Sequence, residues 1–202
     1  MINNYDIIKE FMPGESKGLT SNEDHFLYTE LLDRTKRVGN NGVRIVKTFY
    51  HRSLSDFDKH MPLMIKLCDA LKVRAYTRLS TRSFKKVGAE FTRLVVDAAL
   101  TDNFAGMKCP YTRACGIVTP SQKLWMFDVD VISGSTEGFG EYLALAGRLL
   151  ATVPSKKGLH YITPAFDVRL IEEQYRKFAL TASEISLHKD NATNLYIPDE
   201  AA

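Results

Sequence analysis

Two carboxylates separated by one residue lie in a mostly apolar segment of the chain, Leu124 to Ile132. Asp128 and Asp130 would point to the same side of a β-strand, because successive strand side chains alternate between its two faces. The aromatic and aliphatic residues around them would then pack into a core. Ionised carboxylates on a buried strand are costly unless they are solvated, ion-paired or bound to a cation. The spacing therefore indicates either a divalent metal site or a solvated face paired with arginines.

A second segment, which begins near residue 154, combines a basic turn with a histidine. The turn offers backbone N–H groups, a hydroxyl and two ammonium groups to an anion, and it consists of Ser155, Lys156, Lys157 and Gly158. His160 follows on the predicted strand and would face the same cleft as the turn, although a structural, hydrogen-bonded histidine is the alternative. The carboxylate pair, the turn and the histidine together suit a nucleoside triphosphate with Mg²⁺ or Mn²⁺.

A third feature is a basic block in the middle of the chain. Arg74, Tyr76 and Arg78 would share one strand face, and this combination of cations with a stacking surface suits single-stranded nucleic acid. We predict nucleic-acid contacts for Arg74, Tyr76, Lys85 and Lys86, and contacts with the phosphates of a nucleotide for Arg78 and Arg82. Solvated protein surface is the alternative, and a net charge of +3 is too small to decide between them.

These residues require a scaffold in which strands alternate with helices. The patterns predict helices over residues 3–11, 25–36, 55–71, 83–98, 134–153 and 166–178. They predict strands over residues 43–50, 73–79, 123–132 and 158–163, an irregular connection over 102–122, and a terminal hairpin from 184–188 and 194–197. The order predicts an α+β (α/β) domain with a mixed sheet and helices packed mainly on one face. A helical segment over residues 1–42 would precede the main domain, residues 43–202, within a single globular unit.

The composition excludes several classes of protein. At 45% hydrophobic and 25% charged residues the chain is an ordinary globular sequence, and no apolar run approaches the roughly 18 residues of a membrane span. We therefore expect a cytoplasmic protein, in the host cytoplasm if it is viral, with no membrane partner. The three cysteines, Cys68, Cys109 and Cys115, are expected to be free thiols, and their spacing does not favour zinc.

The motifs resemble those of the archaeo-eukaryotic primase and primase-polymerase superfamily, in particular its compact plasmid and phage members. Phe127 to Asp130 is similar to the first family motif, an apolar strand that ends in Asp-x-Asp or Asp-x-Glu. Ser155 to His160 is similar to the second, a basic Ser/Gly-rich turn that runs into Gly-x-His. Ile185 to Pro198 resembles the third in outline, so the resemblance covers roughly residues 123–198.

The resemblance implies an RRM-like catalytic core joined to an N-terminal α/β unit. It also implies template-dependent nucleotidyl transfer in DNA replication, which makes or extends a primer from nucleoside triphosphates on a single-stranded DNA template. Asp128 and Asp130 would hold two divalent ions, and Asp190, Glu184 or His188 would supply the third ligand. His160 would contact the phosphates. The chain carries no helicase sequence, so we expect any helicase partner to be a separate chain.

Two other functions stay open. The absence of a carboxylate between residues 186 and 188 favours a catalytically degenerate primase-like domain that binds nucleic acid or a protein. Asp-x-Asp at a strand end also occurs in metal-dependent glycosyltransferases, but those proteins begin with a nucleotide-binding α/β unit that this chain does not display.

Overall fold

The structure is a computed structural model that describes residues 1–18, 24–34, 43–105, 107 and 109–199. These residues form an α+β fold with two antiparallel sheets, which confirms the predicted fold class. The predicted boundary at residue 42 and the end of the predicted helix at residues 35–36 lie outside the described residues.

The helices are α1 (Tyr5–Ile8), α2 (Leu54–Leu71), α3 (Phe84–Leu100), α4 (Pro110–Ile117), α5 (Gly134–Leu145) and α6 (Val168–Lys177), and a short 3₁₀ turn follows α1 at Lys9–Phe11. The strands are β1 (Ile2–Asn3), β2 (His25–Asp33), β3 (Arg44–His51), β4 (Arg74–Ser83), β5 (Leu124–Val129), β6 (Ala151–Pro154), β7 (Leu159–Pro164), β8 (Ile185–His188) and β9 (Ala192–Ile197).

The five-stranded sheet has the order β1-β9-β4-β2-β3. Helix α2 packs on one face of it, and α3 and α4 cover part of the other. The prediction of a helix at 25–36 was wrong, because β2 is a central strand of this sheet. Its two faces are both largely buried, so its sequence lacks the alternation by which strands are recognised. Within residues 1–18 and 24–34, the structure describes strands β1 and β2 besides the short helix α1, and both strands belong to the five-stranded sheet.

The four-stranded sheet has the order β6-β7-β5-β8, and residues 124–188 supply all of it. The element order β5-α5-β6-β7-α6-β8 with this strand order is the split βαβ topology of RRM-like folds, as expected for the core. Helices α5 and α6 cover one face through an apolar cluster that includes Phe127, Phe139 and Ile171. The opposite face of this sheet is directed toward the five-stranded sheet.

The predicted terminal hairpin does not form. Strand β8 pairs with β5 in the four-stranded sheet, whereas β9 pairs with β4 and β1 in the five-stranded sheet. The chain therefore crosses from one sheet to the other between His188 and Ala192. The fold has two sheets with antiparallel pairing instead of one mixed sheet, and the five-stranded sheet carries helices on both faces.

Two further boundaries differ from the sequence predictions. The helix predicted over 134–153 ends at Leu145, and Gly147 adopts a left-handed backbone with φ of 63° before β6 begins. Glycine tolerates this conformation, which commonly ends helices. The connection predicted to be irregular over 102–122 contains α4, with Pro110 in its first turn. Proline fits this position because the first turn of a helix leaves its N–H groups without intrahelical partners.

Candidate functional site: a cleft between the two sheets

A cleft of about 530 Å³ lies between the two sheets. One wall and its rim come from the four-stranded sheet and consist of Met126, Asp128, Asp130, His160 and the turn residues Ser155, Lys156 and Lys157. The other wall comes from the five-stranded sheet and includes Glu30, Leu32, Arg34, Arg74, Tyr76, Arg78, Ala192 and Asn194. The structure therefore brings together residues that are up to about 160 positions apart in the sequence.

The carboxylate pair projects from β5 as the alternation predicted. Asp128 and Asp130 line the cleft, whereas Phe127 and Val129 pack on the other side against the α5 and α6 cluster. Asp128 is half-buried, and Asp130, just beyond the strand, is exposed. The backbone N–H of Asp130 donates to the carbonyl of Glu184 at 2.9 Å, which anchors the end of the strand to the segment before β8.

His160 lies directly across the strand pair from Asp128 and contacts its carboxylate. His160 Nε2 is 3.2 Å from Asp128 Oδ1, and His160 Nδ1 is 2.7 Å from the hydroxyl of Thr193 on β9. An ionised carboxylate only accepts hydrogen bonds, so Nε2 donates to it. This bond holds the pKa of Asp128 below its usual value against the opposing effect of burial, so Asp128 is ionised at neutral pH.

The basic turn closes the hairpin between β6 and β7. The Ser155 N–H donates to the carbonyl of Gly158 (3.0 Å), and the Gly158 N–H donates to the hydroxyl of Ser155 (3.1 Å). A Cβ atom on Gly158 would lie 1.8 Å from the carbonyl oxygen of Val129, so only glycine allows the turn to approach β5 this closely. This approach places exposed Lys156 and Lys157 beside the carboxylate pair.

The opposite wall carries the predicted row on β4. Arg74, Tyr76 and Arg78 all line the cleft, so they share one strand face as expected. Arg34, which the sequence analysis missed, donates to the Tyr76 hydroxyl at 2.9 Å and lies 5.4 Å from the centre of its ring. A guanidinium group and an aromatic ring are thus held together at the edge of the cleft.

Glu30 on β2 is a further cleft residue that the sequence analysis did not find, because the segment was predicted to be a helix. Its side chain is 7% exposed, and its carboxylate lies 3.8 Å from Arg78 Nε. Burial raises the pKa of Glu30, and the positive charge of Arg78 partly opposes that rise. The available signal was that apolar residues occur among both the odd- and the even-numbered positions of residues 25–33, which suits a strand buried on both faces.

Some predicted site residues lie away from the cleft. Arg82 is fully buried, and its guanidinium donates to the carbonyls of Cys115 and Ser80 and to the Asp190 carboxylate. Arg82 and Asp190 thus form an ion pair, and Asp190 does not line the cleft that holds Asp128 and Asp130. Lys85 and Lys86 are exposed in the first turn of α3 and do not line the cleft.

The remaining candidates for a third acidic ligand also have other contacts. Glu184 accepts hydrogen bonds from the backbone N–H and the hydroxyl of Thr181. Ser186, not a carboxylate, lies directly opposite Asp128 on β8, and its hydroxyl is 3.0 Å from His188 Nε2. Within the described ranges, no group of three or more His, Cys, Asp or Glu side chains is arranged to hold a metal ion.

Comparison of the chain with protein-family models, curated proteins and solved structures finds no match. Among the helices that the structure describes, none is long and apolar enough to cross a membrane. The cleft must therefore be interpreted from its own geometry and charge.

Proposed function

We propose that this cleft binds a nucleoside triphosphate and a single-stranded nucleic acid, and that it catalyses template-dependent nucleotidyl transfer. One observation carries the proposal. An RRM-like sheet that bears Asp128, Asp130 and His160 lines one side of the cleft. A second sheet, which bears the row of Arg74, Tyr76 and Arg78, lines the other side. Carboxylates, an anion-binding turn and a cationic aromatic row are complementary to a metal-bound triphosphate and to a polynucleotide.

The carboxylate pair fits a divalent cation that arrives with the nucleotide. Mg²⁺ is commonly held by one or two carboxylates together with substrate phosphates, so a cage of protein ligands alone is not required. Asp128 and Asp130 would hold this ion, which would neutralise charge on the phosphates during transfer. The ionised state of Asp128, maintained by the hydrogen bond from His160, suits that role.

The residues of this chain have separate tasks in the proposed reaction. Lys156 and Lys157 bind the triphosphate, and the Ser155–Gly158 turn holds them beside the carboxylates. His160 orients the Asp128 carboxylate, while Thr193 fixes the imidazole from the other sheet. The Arg74 and Tyr76 side chains bind the template by charge and stacking.

The decisive experiment is incorporation of labelled nucleotides on single-stranded DNA, with Mg²⁺ or Mn²⁺ and with or without a primer. We expect Asp128→Asn combined with Asp130→Asn to lower incorporation by more than about a hundredfold. The reason is that the divalent ion, which would offset the charge on the phosphates, loses its carboxylate ligands. The matched control is Glu141→Gln, which removes an exposed carboxylate on α5, outside the cleft. Equal incorporation by wild type and double variant would contradict the proposal.

A non-catalytic binding module is the second candidate, and Ser186 favours it. The hydroxyl of Ser186 occupies the strand position opposite Asp128, where the resemblance predicts a third carboxylate. Folded protein that binds single-stranded DNA but yields no product with either metal would support this candidate. In that case the double variant at Asp128 and Asp130 would keep its affinity for DNA, whereas Arg74→Ala would weaken it.

A further inference from the structure

Glu30 is a buried carboxylate directed into the cleft from the five-stranded sheet. The residue is only 5% exposed. In the part of the chain that the structure describes, its carboxylate has one ion-pair partner, Arg78, and no hydrogen bond. A buried carboxylate without hydrogen-bond donors is costly, so a bound group that donates to it would remove that cost.

The partner of Glu30 is also incompletely bonded. Arg78 donates through Nη1 to the carbonyl oxygen of Asp190 at 2.7 Å. Its Nε is buried and has no hydrogen-bond acceptor among the described residues, and it lies 3.8 Å from Glu30 Oε2. An acceptor and a donor therefore face each other at a separation longer than a hydrogen bond.

A hydroxyl group is complementary to both atoms. It donates one hydrogen bond and accepts others, so it serves Glu30 and the Arg78 guanidinium at once. A phosphate oxygen only accepts and would be repelled by Glu30, and an ammonium group only donates and would be repelled by Arg78. The chemistry of this pair thus selects a neutral hydroxyl over the charged parts of a nucleotide.

The position of Glu30 in the cleft identifies which hydroxyl this is. Glu30 pairs with Tyr76 across β2 and β4, and Tyr76 pairs with Asn194 across β4 and β9, so the three residues form one row across the wall. Lys156 and Lys157 provide cations for the phosphates on the facing rim. The base of an incoming nucleotide uses its hydrogen-bonding edge to pair with the template. The sugar is the remaining part with hydroxyl groups.

We infer that Glu30, together with Arg78, binds the 2′-hydroxyl of the incoming nucleotide and makes the cleft selective for ribonucleoside triphosphates. This inference rests on the proposed function, because it requires a nucleoside triphosphate in the cleft. It assigns to Glu30 the choice between ribose and deoxyribose. Removal of Glu30 leaves the triphosphate contacts in place and removes that choice.

The test is calorimetric binding of ATP and dATP in the presence of Mg²⁺, which needs no turnover. We expect the wild type to bind ATP more tightly than dATP. Glu30→Ala should weaken ATP binding by roughly tenfold or more and leave dATP binding unchanged, because a hydrogen bond to a charged group is lost for ATP alone. Glu30→Gln, which keeps one acceptor oxygen, should retain part of the discrimination, and thermal unfolding establishes that each variant is folded.

Three outcomes overturn the inference, and they differ from failure of the proposed function. Equal binding of ATP and dATP by the wild type excludes selection at the sugar. An equal loss for ATP and dATP in Glu30→Ala assigns Glu30 to the 3′-hydroxyl, which both nucleotides carry, or to the structure of the wall. If UTP is titrated in parallel, a Glu30→Ala variant that changes only the preference for ATP over UTP assigns Glu30 to the base. A wild type that binds neither nucleotide refutes the proposed function itself and the inference with it. Glu141→Ala on α5 is the control carboxylate.

Discussion

Asp128 and Glu30 are carboxylates on opposite walls of one cleft, yet their surroundings shift their pKa values in opposite directions. The hydrogen bond from His160 lowers the pKa of Asp128, whereas burial raises the pKa of Glu30. A hydrogen bond to the charged form favours ionisation, and loss of water disfavours it. Asp128 is therefore suited to binding a cation, and Glu30 to accepting a hydrogen bond from a neutral group.

The raised pKa of Glu30 predicts a particular dependence of stability on pH. In the range above the ordinary value of 4.5, the folded state binds more protons at this site than the unfolded state does. Stability is therefore lost as pH rises through that range, and the loss is complete above the folded pKa. Glu30→Gln removes this titration. We expect it to raise the free energy of unfolding relative to wild type at about pH 7 and to change it less at about pH 4.

Urea unfolding of wild type and Glu30→Gln at the two pH values measures this effect. Glu141→Gln, at an exposed carboxylate on α5 outside the cleft, shows how much any loss of a negative charge contributes. If Glu30→Gln lowers stability at neutral pH more than at acid pH, attraction between Glu30 and Arg78 outweighs the effect of burial.

Individual elements of the site differ in how well the sequence predicts them. Strands β5 and β7 were predicted because polar and apolar residues alternate between two faces, and their cleft residues followed directly. Strand β2 was missed because both of its faces are buried, which hid Glu30. Strand β6 lies within the helix predicted over 134–153, because that prediction does not use Gly147 as a helix end. The ion pair of Arg82 with Asp190 depends on long-range packing, which no local pattern reports.

The hairpin of β6 and β7 depends on one close backbone contact, and this gives a prediction at the scale of the element. Gly158→Ala would place a methyl group against the Val129 carbonyl, so the turn must move away from β5. We expect a loss of about 1–3 kcal/mol in the free energy of unfolding, as for other overpacked sites, and weaker ATP binding, because Lys156 and Lys157 shift with the turn.

Urea unfolding and ATP titration measure the two consequences of Gly158→Ala. Gly88→Ala in α3 is the matched control, since a Cβ atom there meets nothing within 4 Å beyond the neighbouring residues and backbone of its own helix. Alanine has the higher helix propensity, so this control should be neutral or stabilising. Unchanged stability in Gly158→Ala would show that the turn accommodates the methyl group without moving.

At the scale of the whole molecule, a shared apolar cluster joins the two sheets, and a few polar contacts bridge them beside the cleft. Asn4 is buried, and its amide group donates to Pro154 on the four-stranded sheet (2.9 Å) and to Asn194 on the five-stranded sheet (2.8 Å). His160 and Thr193 form a second bridge, closer to the carboxylates. Both bridges end on β9, and a third joins the sheets through β4, where the Ser80 hydroxyl accepts from the Leu124 N–H at 3.2 Å. Strand β9 therefore contributes to the position of one wall of the cleft relative to the other.

Replacement of Asn4 tests this bridging role. Asn4→Ala removes the donor to a buried carbonyl oxygen of Asn194 and to a part-buried one of Pro154, and we expect a loss of about 1–3 kcal/mol in the free energy of unfolding. Nucleotide affinity should fall as well, because the carbonyl of Pro154 adjoins the turn. Urea unfolding and ATP titration provide the measurements, and Asn103→Ala, at an exposed asparagine, is the control. A loss of stability without any loss of affinity would limit Asn4 to a role in folding.

The place of β9 in the five-stranded sheet has a consequence for biosynthesis. Strand β9 lies between β1 and β4, and Ile2 pairs with Ile197, so the sheet stays incomplete until nearly all of the described chain has left the ribosome. Until then β4 presents an unpaired edge, which is a surface prone to aggregation. Contacts between residues so far apart in sequence also slow folding. Nascent chains of this protein are therefore expected to depend on chaperones more than chains whose sheets form sequentially.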